Sequence, residues 1–108
     1  MQSLDLPGLE TALLTVLPGA VFHYDAPKGP ERYVVYTEFG ERSAYADDEE
    51  QLCLPVVQID VITQTEADTL VDSIKSTLKE LGQIIALKDT YYDDEIMAVR
   101  SVLEITLV

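Results

Sequence analysis

Cysteine and histidine are almost missing from this chain: among 108 residues there is one of each, Cys53 and His23. A zinc site of ordinary composition needs several such ligands, so a single copy of the chain cannot build one. A lone cysteine has no partner for an internal disulfide, and it reads most simply as belonging to a reducing compartment. Tryptophan is absent. The glycines are few and dispersed, at Gly8, Gly19, Gly29, Gly40 and Gly82, so no glycine-rich loop cradles a phosphate. No apolar run approaches the ~20 residues a membrane span needs. The first residues, Met1-Gln2-Ser3-Leu4-Asp5, lack the basic stretch of a signal peptide, which predicts a soluble protein that is intracellular when made.

Positive charge is scarce as well. Seven basic residues face 20 acidic ones, for a net charge of −13. Affinity for a phosphate backbone comes from Lys and Arg releasing counterions, so direct, sequence-specific nucleic-acid binding is disfavoured. Anionic lipid is disfavoured on the same ground. An acidic surface keeps small proteins apart in solution; it also suits a wall that DNA passes without sticking, or contact with a basic partner.

What is present is a core. Hydrophobic residues make up 47% of the chain, which argues against disorder. A chain this long buries roughly 60–70% of its unfolded surface as one domain. With no linker, repeat or low-complexity tract, residues 1–108 read as a single domain.

Periodicity divides it. Leu9, Ala12, Leu13, Val16 and Leu17 recur at helical spacing, predicting a helix over Leu6–Leu17, capped by Asp5, with Pro7 in its first turn and Pro18-Gly19 as its stop. Ala20 to Tyr24 predicts a short strand. Asp25 to Glu31 predicts a loop, since two prolines and a glycine exclude regular structure. Arg32 to Phe39 predicts a strand ended by Gly40. Tyr33, Val35, Thr37 and Phe39 share one face; Val34, Tyr36 and Glu38 share the other. Asp47, Asp48, Glu49 and Glu50 repel one another, which predicts a solvated loop or hairpin tip between Glu41 and Glu50.

A long strand follows from about Gln51 to Thr63, with Pro55 marking an edge or a bulge. Val57, Ile59 and Val61 face the core; Gln58 and Asp60 lie opposite. The second helix is predicted over Glu66–Leu81, with Thr65 as N-cap and Gly82 beyond its end. Ala67, Leu70, Val71, Ile74, Leu78 and Leu81 form its apolar stripe. Gln83 to Leu87 is a candidate short strand, and Lys88 to Glu95 a polar loop around Tyr91 and Tyr92. Ile96 to Val108 predicts the closing strand, with Val99, Ser101, Leu103, Ile105 and Leu107 inward and Arg100, Glu104 and Thr106 opposite.

Neighbouring strands join cheaply by hairpins, so the fold class expected is α+β: a two-layer sandwich of an antiparallel sheet with both helices on one face. The uncovered face should carry Tyr36, Gln58, Asp60, Arg100 and Glu104 beside a few aliphatics, a mixed surface suited to a second subunit.

The pattern contains no catalytic constellation. His23, between Phe22 and Tyr24, has no partner suggested by spacing and reads as a polar residue at a strand edge. The runs Asp47 to Glu50 and Asp93-Asp94-Glu95 lack the alternating ligands and central glycine of a calcium loop, and read as solvated faces. No cofactor, metal or enzymatic activity is expected. Six tyrosines against two phenylalanines fit either ordinary strand composition or an interface, where one end of the ring is buried and the other wet.

The order of pieces resembles the tail-completion, or head–tail joining, proteins of tailed bacteriophages. The matching residues are the N-terminal helix; Val21-Phe22-His23-Tyr24-Asp25-Ala26-Pro27; the strand Tyr33-Val34-Val35-Tyr36; Gln58-Ile59-Asp60-Val61-Ile62-Thr63; Glu66-Ala67-Asp68-Thr69-Leu70; and the β-branched closing strand. The resemblance covers nearly the whole chain. It implies a virion structural protein without enzymatic activity, a tail terminator whose copies form a ring, usually a hexamer, at the head-proximal end of the tail tube. The partners implied are the protein itself, the tail-tube protein and the head connector. The acidic loops depart from the family pattern in their charge.

The residues singled out for such assembly are Tyr36, Asp47, Asp48, Glu49, Glu50, Tyr91, Tyr92, Asp93 and Asp94. A different class of function stays open beside it: an acidic binding module that imitates DNA and occupies a basic protein, with carboxylates spaced like phosphates.

Overall fold

A computed structural model describes residues 4–26, 31–46 and 50–107; for Phe39, residues 41–46 and residues 50–53 it describes the backbone only. The elements are α1 (Leu6–Val16), β1 (Val21–His23), β2 (Tyr33–Ala46), β3 (Glu50–Thr63), α2 (Leu70–Glu80), β4 (Ile84–Asp93) and β5 (Ala98–Thr106). The five strands form one sheet in the order β1-β2-β3-β5-β4, with both helices against one face. This is the expected two-layer α+β sandwich.

α1 starts where its sequence dictates. The Asp5 carboxylate accepts the Gly8 N–H at 2.8 Å, and Pro7 occupies the first turn, where no N–H is needed. α2 starts later than its apolar stripe suggests, and its first turn is not capped by Thr65. The Thr63 hydroxyl donates to the Thr65 carbonyl, and residues 64–67 form bends and turns. Thr69 stands at the N-cap position with no side-chain bond; Asp68, one residue before it, accepts the Leu70 N–H at 2.9 Å. Its carboxylate also holds Arg32 through two hydrogen bonds of 2.9 and 2.7 Å, which keep the Asp68 carboxyl below its ordinary range. The helix ends as predicted at Gly82, whose φ of 79° lets the Gly82 N–H reach the Lys79 carbonyl and the Gln83 N–H reach the Leu78 carbonyl.

The core lies between helices and sheet. Leu9, Ala12 and Leu13 of α1 and Leu70, Ile74 and Leu78 of α2 pack with Val34, Tyr36, Val57, Ile59, Val61, Leu103 and Ile105. Ala67 and Leu81 stay exposed at the ends of the α2 stripe, beyond the reach of the sheet.

Four further differences concern the strands. β1 runs parallel to β2, pairing Val21 with Val34 and His23 with Tyr36. A tight hairpin would have made them antiparallel; the Val34 N–H donates to the Ala20 carbonyl at 2.9 Å and fixes the parallel register.

β2 continues through Gly40 to Ala46 and stays paired with β3, so Glu41 to Ala46 is strand and not loop. A register shift between Glu38 and Gly40 takes up one residue, as a β-bulge does. Asp47, Asp48 and Glu49 lie outside the described residues, and Glu50 opens β3.

β4 extends to Asp93 where a loop from Lys88 was expected. Its polar residues lie along a sheet edge, with no strand on its outer side among the described residues. Pro55 marks the limit of β5: its carbonyl accepts the Leu107 N–H at 2.9 Å, and its missing N–H ends the ladder on that side.

Tyr36, finally, sits on the helix-covered face opposite Ile59, not on the open face. Val34, two residues earlier, pairs with Val61, and that alternation carries Tyr36 inward.

Candidate assembly surfaces

The uncovered face of the sheet is set by strand register. One row runs Tyr33, Ile62, Arg100, Tyr91; the next runs Val35, Asp60, Val102, Asp89; a third runs Thr37, Gln58, Glu104, Ala86. Ile62 is fully buried here, although no helix covers it, because Tyr33 and Arg100 flank it on either side.

Arg100 is the electrostatic centre of this face. Its guanidinium donates to Asp60 at 2.6 Å and to Asp93 at 3.1 Å. Burial disfavours its charge, yet the Asp60 and Asp93 carboxylates outweigh that and hold its pKa above the ordinary value. Asp93 is therefore a structural carboxylate: one oxygen holds Arg100 and the other accepts the Glu95 N–H at 3.0 Å.

A second cluster forms where β1 meets β2. His23 stacks between Tyr24 (centroids 4.0 Å apart) and Tyr36 (4.6 Å). Its Nε2 lies 2.6 Å from Glu38 Oε1, and the Tyr24 hydroxyl donates to the other Glu38 oxygen at 3.2 Å. The Tyr36 hydroxyl donates to Glu10 on α1. Tyr24 takes a left-handed φ of 69° to hold this position. The arrangement ties three aromatic rings to two carboxylates and locks the short edge strand to the body. It matches the reading of His23 as a strand-edge residue; the partner Glu38, fifteen residues away, becomes visible only once the parallel register is known. Among the described residues, no three His, Cys, Asp or Glu side chains gather so as to hold a metal ion.

The third surface is the β4 edge. Tyr91 and Tyr92 are both exposed there, on opposite faces, with Asp94 in the turn that follows. Ile84, Leu87 and Met97 add exposed apolar surface that the sequence reading did not single out. The signal available was the set of aliphatics flanking a short polar run, which an edge strand leaves in solvent.

The fourth is a ribbon. β1 pairs β2 only as far as Tyr36, and β5 pairs β3 only from Val56. From Glu41 and Pro55 outward the described sheet is two strands wide, and the molecule measures 49 × 25 × 23 Å. Six residues of strand past that point, Glu41 to Ala46, extend about 20 Å at ~3.3 Å per residue. The candidate residues thus divide: Tyr91, Tyr92, Asp93 and Asp94 gather at one edge, Glu50 opens β3 at the far end of the ribbon, and Tyr36 is inside.

No family model matches the chain, and no curated protein matches it. The fold is similar to that of a chain in a solved structure described as the virion of a native gene transfer agent particle. That chain is 15% identical, with a TM-score of 0.46, and the match covers 88% of this chain and 83% of the other. No helix among the described residues is long and apolar enough to cross a membrane.

Proposed function

We propose that this protein is a phage or prophage virion component that works by assembly, in head–tail joining or tail-tube termination. Its copies form a ring that stops tube growth and presents a surface to the head connector. The observation that carries this reading is the β2–β3 ribbon. A hairpin two strands wide is marginal in water by itself, because neither edge is paired and little apolar surface is covered. Strand edges of this kind are completed by pairing or packing against another chain. The open sheet face supports the same reading, with Phe22, Tyr33, Val35 and Val102 half-buried on it and Arg100 ion-paired to Asp60. So does the order of elements, which resembles the tail-completion proteins.

The test is to mix the purified protein with tail tubes and image the tube ends. Ring-shaped caps at one end, and loss of capping when the ribbon is cut back to a turn joining Gly40 to Val56, are the expected result. Tubes and connectors that never bind the protein would remove the reading.

A further inference from the structure

β4 is the last strand of the sheet, and among the described residues no strand lies along its outer edge. Such an edge offers a row of unpaired N–H and C=O groups to any extended segment. This one is ten residues long and carries Ile84 (68% exposed), Leu87 (47%), Tyr91 (40%) and Tyr92 (56%).

The register shift between Leu87 and Asp89 inserts one extra residue, Lys88, into β4. That insertion makes the strand symmetric. Ile84 pairs with Thr106 and Asp93 with Ala98, eight residues apart on β5, so Ile84 and Asp93 share a face. By the same register Ile85 shares a face with Tyr92, Ala86 with Tyr91, and Leu87 with Thr90. In a regular strand the members of each pair, an odd number of residues apart, would point to opposite sides. With the bulge, β4 presents the same sequence of faces read from either end.

We propose that the free protein pairs with a second copy of itself, β4 against β4, antiparallel and in full overlap. Ile85 then meets Tyr92 of the second copy, Ala86 meets Tyr91, Leu87 meets Thr90 and Lys88 meets Asp89. Each contact occurs twice, because a two-fold axis uses the same patch on both copies. Aromatic–aliphatic and opposite-charge neighbours across strands are the favourable kinds. Lys88 gives up little to reach Asp89 of the second copy, since its present contact with Glu104 is 3.9 Å long and its own side chain is exposed. The bulge and the lysine also turn away straight foreign strands, while the second copy carries the matching irregularity. This pairing does not rest on the head–tail reading and is distinct from the head-to-tail contacts of a ring.

Sedimentation equilibrium of the purified chain over a range of concentrations tests it. The wild type should move towards twice the 12.0 kDa chain mass. Lys88→Asp and Asp89→Lys place like charges together twice, and each should weaken dimerisation by at least about tenfold. The double variant Lys88→Asp/Asp89→Lys restores opposite charges and should restore the dimer. A wild type that stays at the single-chain mass, a larger assembly indifferent to these substitutions, or a double variant no better than the single ones would each overturn the proposal. Both positions are exposed, so a circular dichroism spectrum matching the wild type verifies that the variants fold.

Discussion

Tyr36 joins the sheet to the first helix through a single hydroxyl. Its ring is buried on the covered face, stacked on His23, and its O–H donates to the Glu10 carboxylate. Burial first, and the Glu10 hydrogen bond second, favour the neutral phenol and raise its pKa above the ordinary value. The residue pattern shows that Val34, Tyr36 and Glu38 share a face, but not which face is covered. Both faces of that strand carry apolar and aromatic side chains, and only the pairing of Val34 with Val61 decides.

Replacing Tyr36 with Phe keeps the ring and removes the donor. A hydrogen bond to a charged group then disappears, and the variant should lose about 1–2 kcal/mol near neutral pH, read from urea unfolding with an unchanged slope. The pH dependence has a definite sign. Above about pH 10 an unfolded tyrosine loses its proton while the native Tyr36 retains it. Its contribution is complete below that pH and is lost as pH rises towards the native pKa. The gap between wild type and Tyr36→Phe should therefore shrink from neutral to alkaline pH. A gap that stays constant would show that the phenol is not held as described.

At the scale of elements, legibility followed how much of each signal is local. α1 is legible because Asp5, Pro7 and the Leu9–Leu13 stripe act within a few residues of one another. The β3 core face is legible because Val57, Ile59 and Val61 alternate strictly and all three are fully buried. The start of α2 is displaced because Asp68 holds both the Leu70 N–H and Arg32, thirty-six residues away, and no local pattern announces that pairing. β4 was hidden because an edge strand bathed by water can be written in loop residues. Gly40 reads as a stop, yet beside a bulge it lets a strand continue.

The ribbon gives the element its own prediction. Amides of Val57 to Ile62 sit in a strand paired on both sides; those of Glu41 to Ala46 and Glu50 to Leu54 sit in a ribbon that, among the described residues, has no third strand beside it. Local opening is cheaper where fewer apolar contacts hold the backbone. Hydrogen exchange should therefore be orders of magnitude faster in the ribbon than in the central part of β3 in the free protein. Ribbon amides as slow as those of Val57 to Ile62 would mean the hairpin is already supported, and its need for a partner would fall away.

For the whole molecule the governing quantity is the net charge of −13. Two of the seven basic residues, Arg32 and Arg100, are committed to carboxylates of the same chain, so they offer a partner little positive charge. Copies brought together in a ring repel one another, and salt weakens that repulsion. The screening length is ~8 Å at physiological salt and ~3 Å at 1 M. Assembly of the proposed ring should then begin at lower protein concentration as salt rises, because the strand pairing and apolar packing proposed to hold it are not weakened by salt. An acidic module that imitates DNA and grips a basic protein has the opposite dependence, since its affinity is the attraction being screened. Scoring capped tube ends at fixed protein concentration across a salt series separates the two: capping should rise with salt or hold steady. A steep fall would assign the negative charge to the binding of a basic partner and would count against a ring built by these copies.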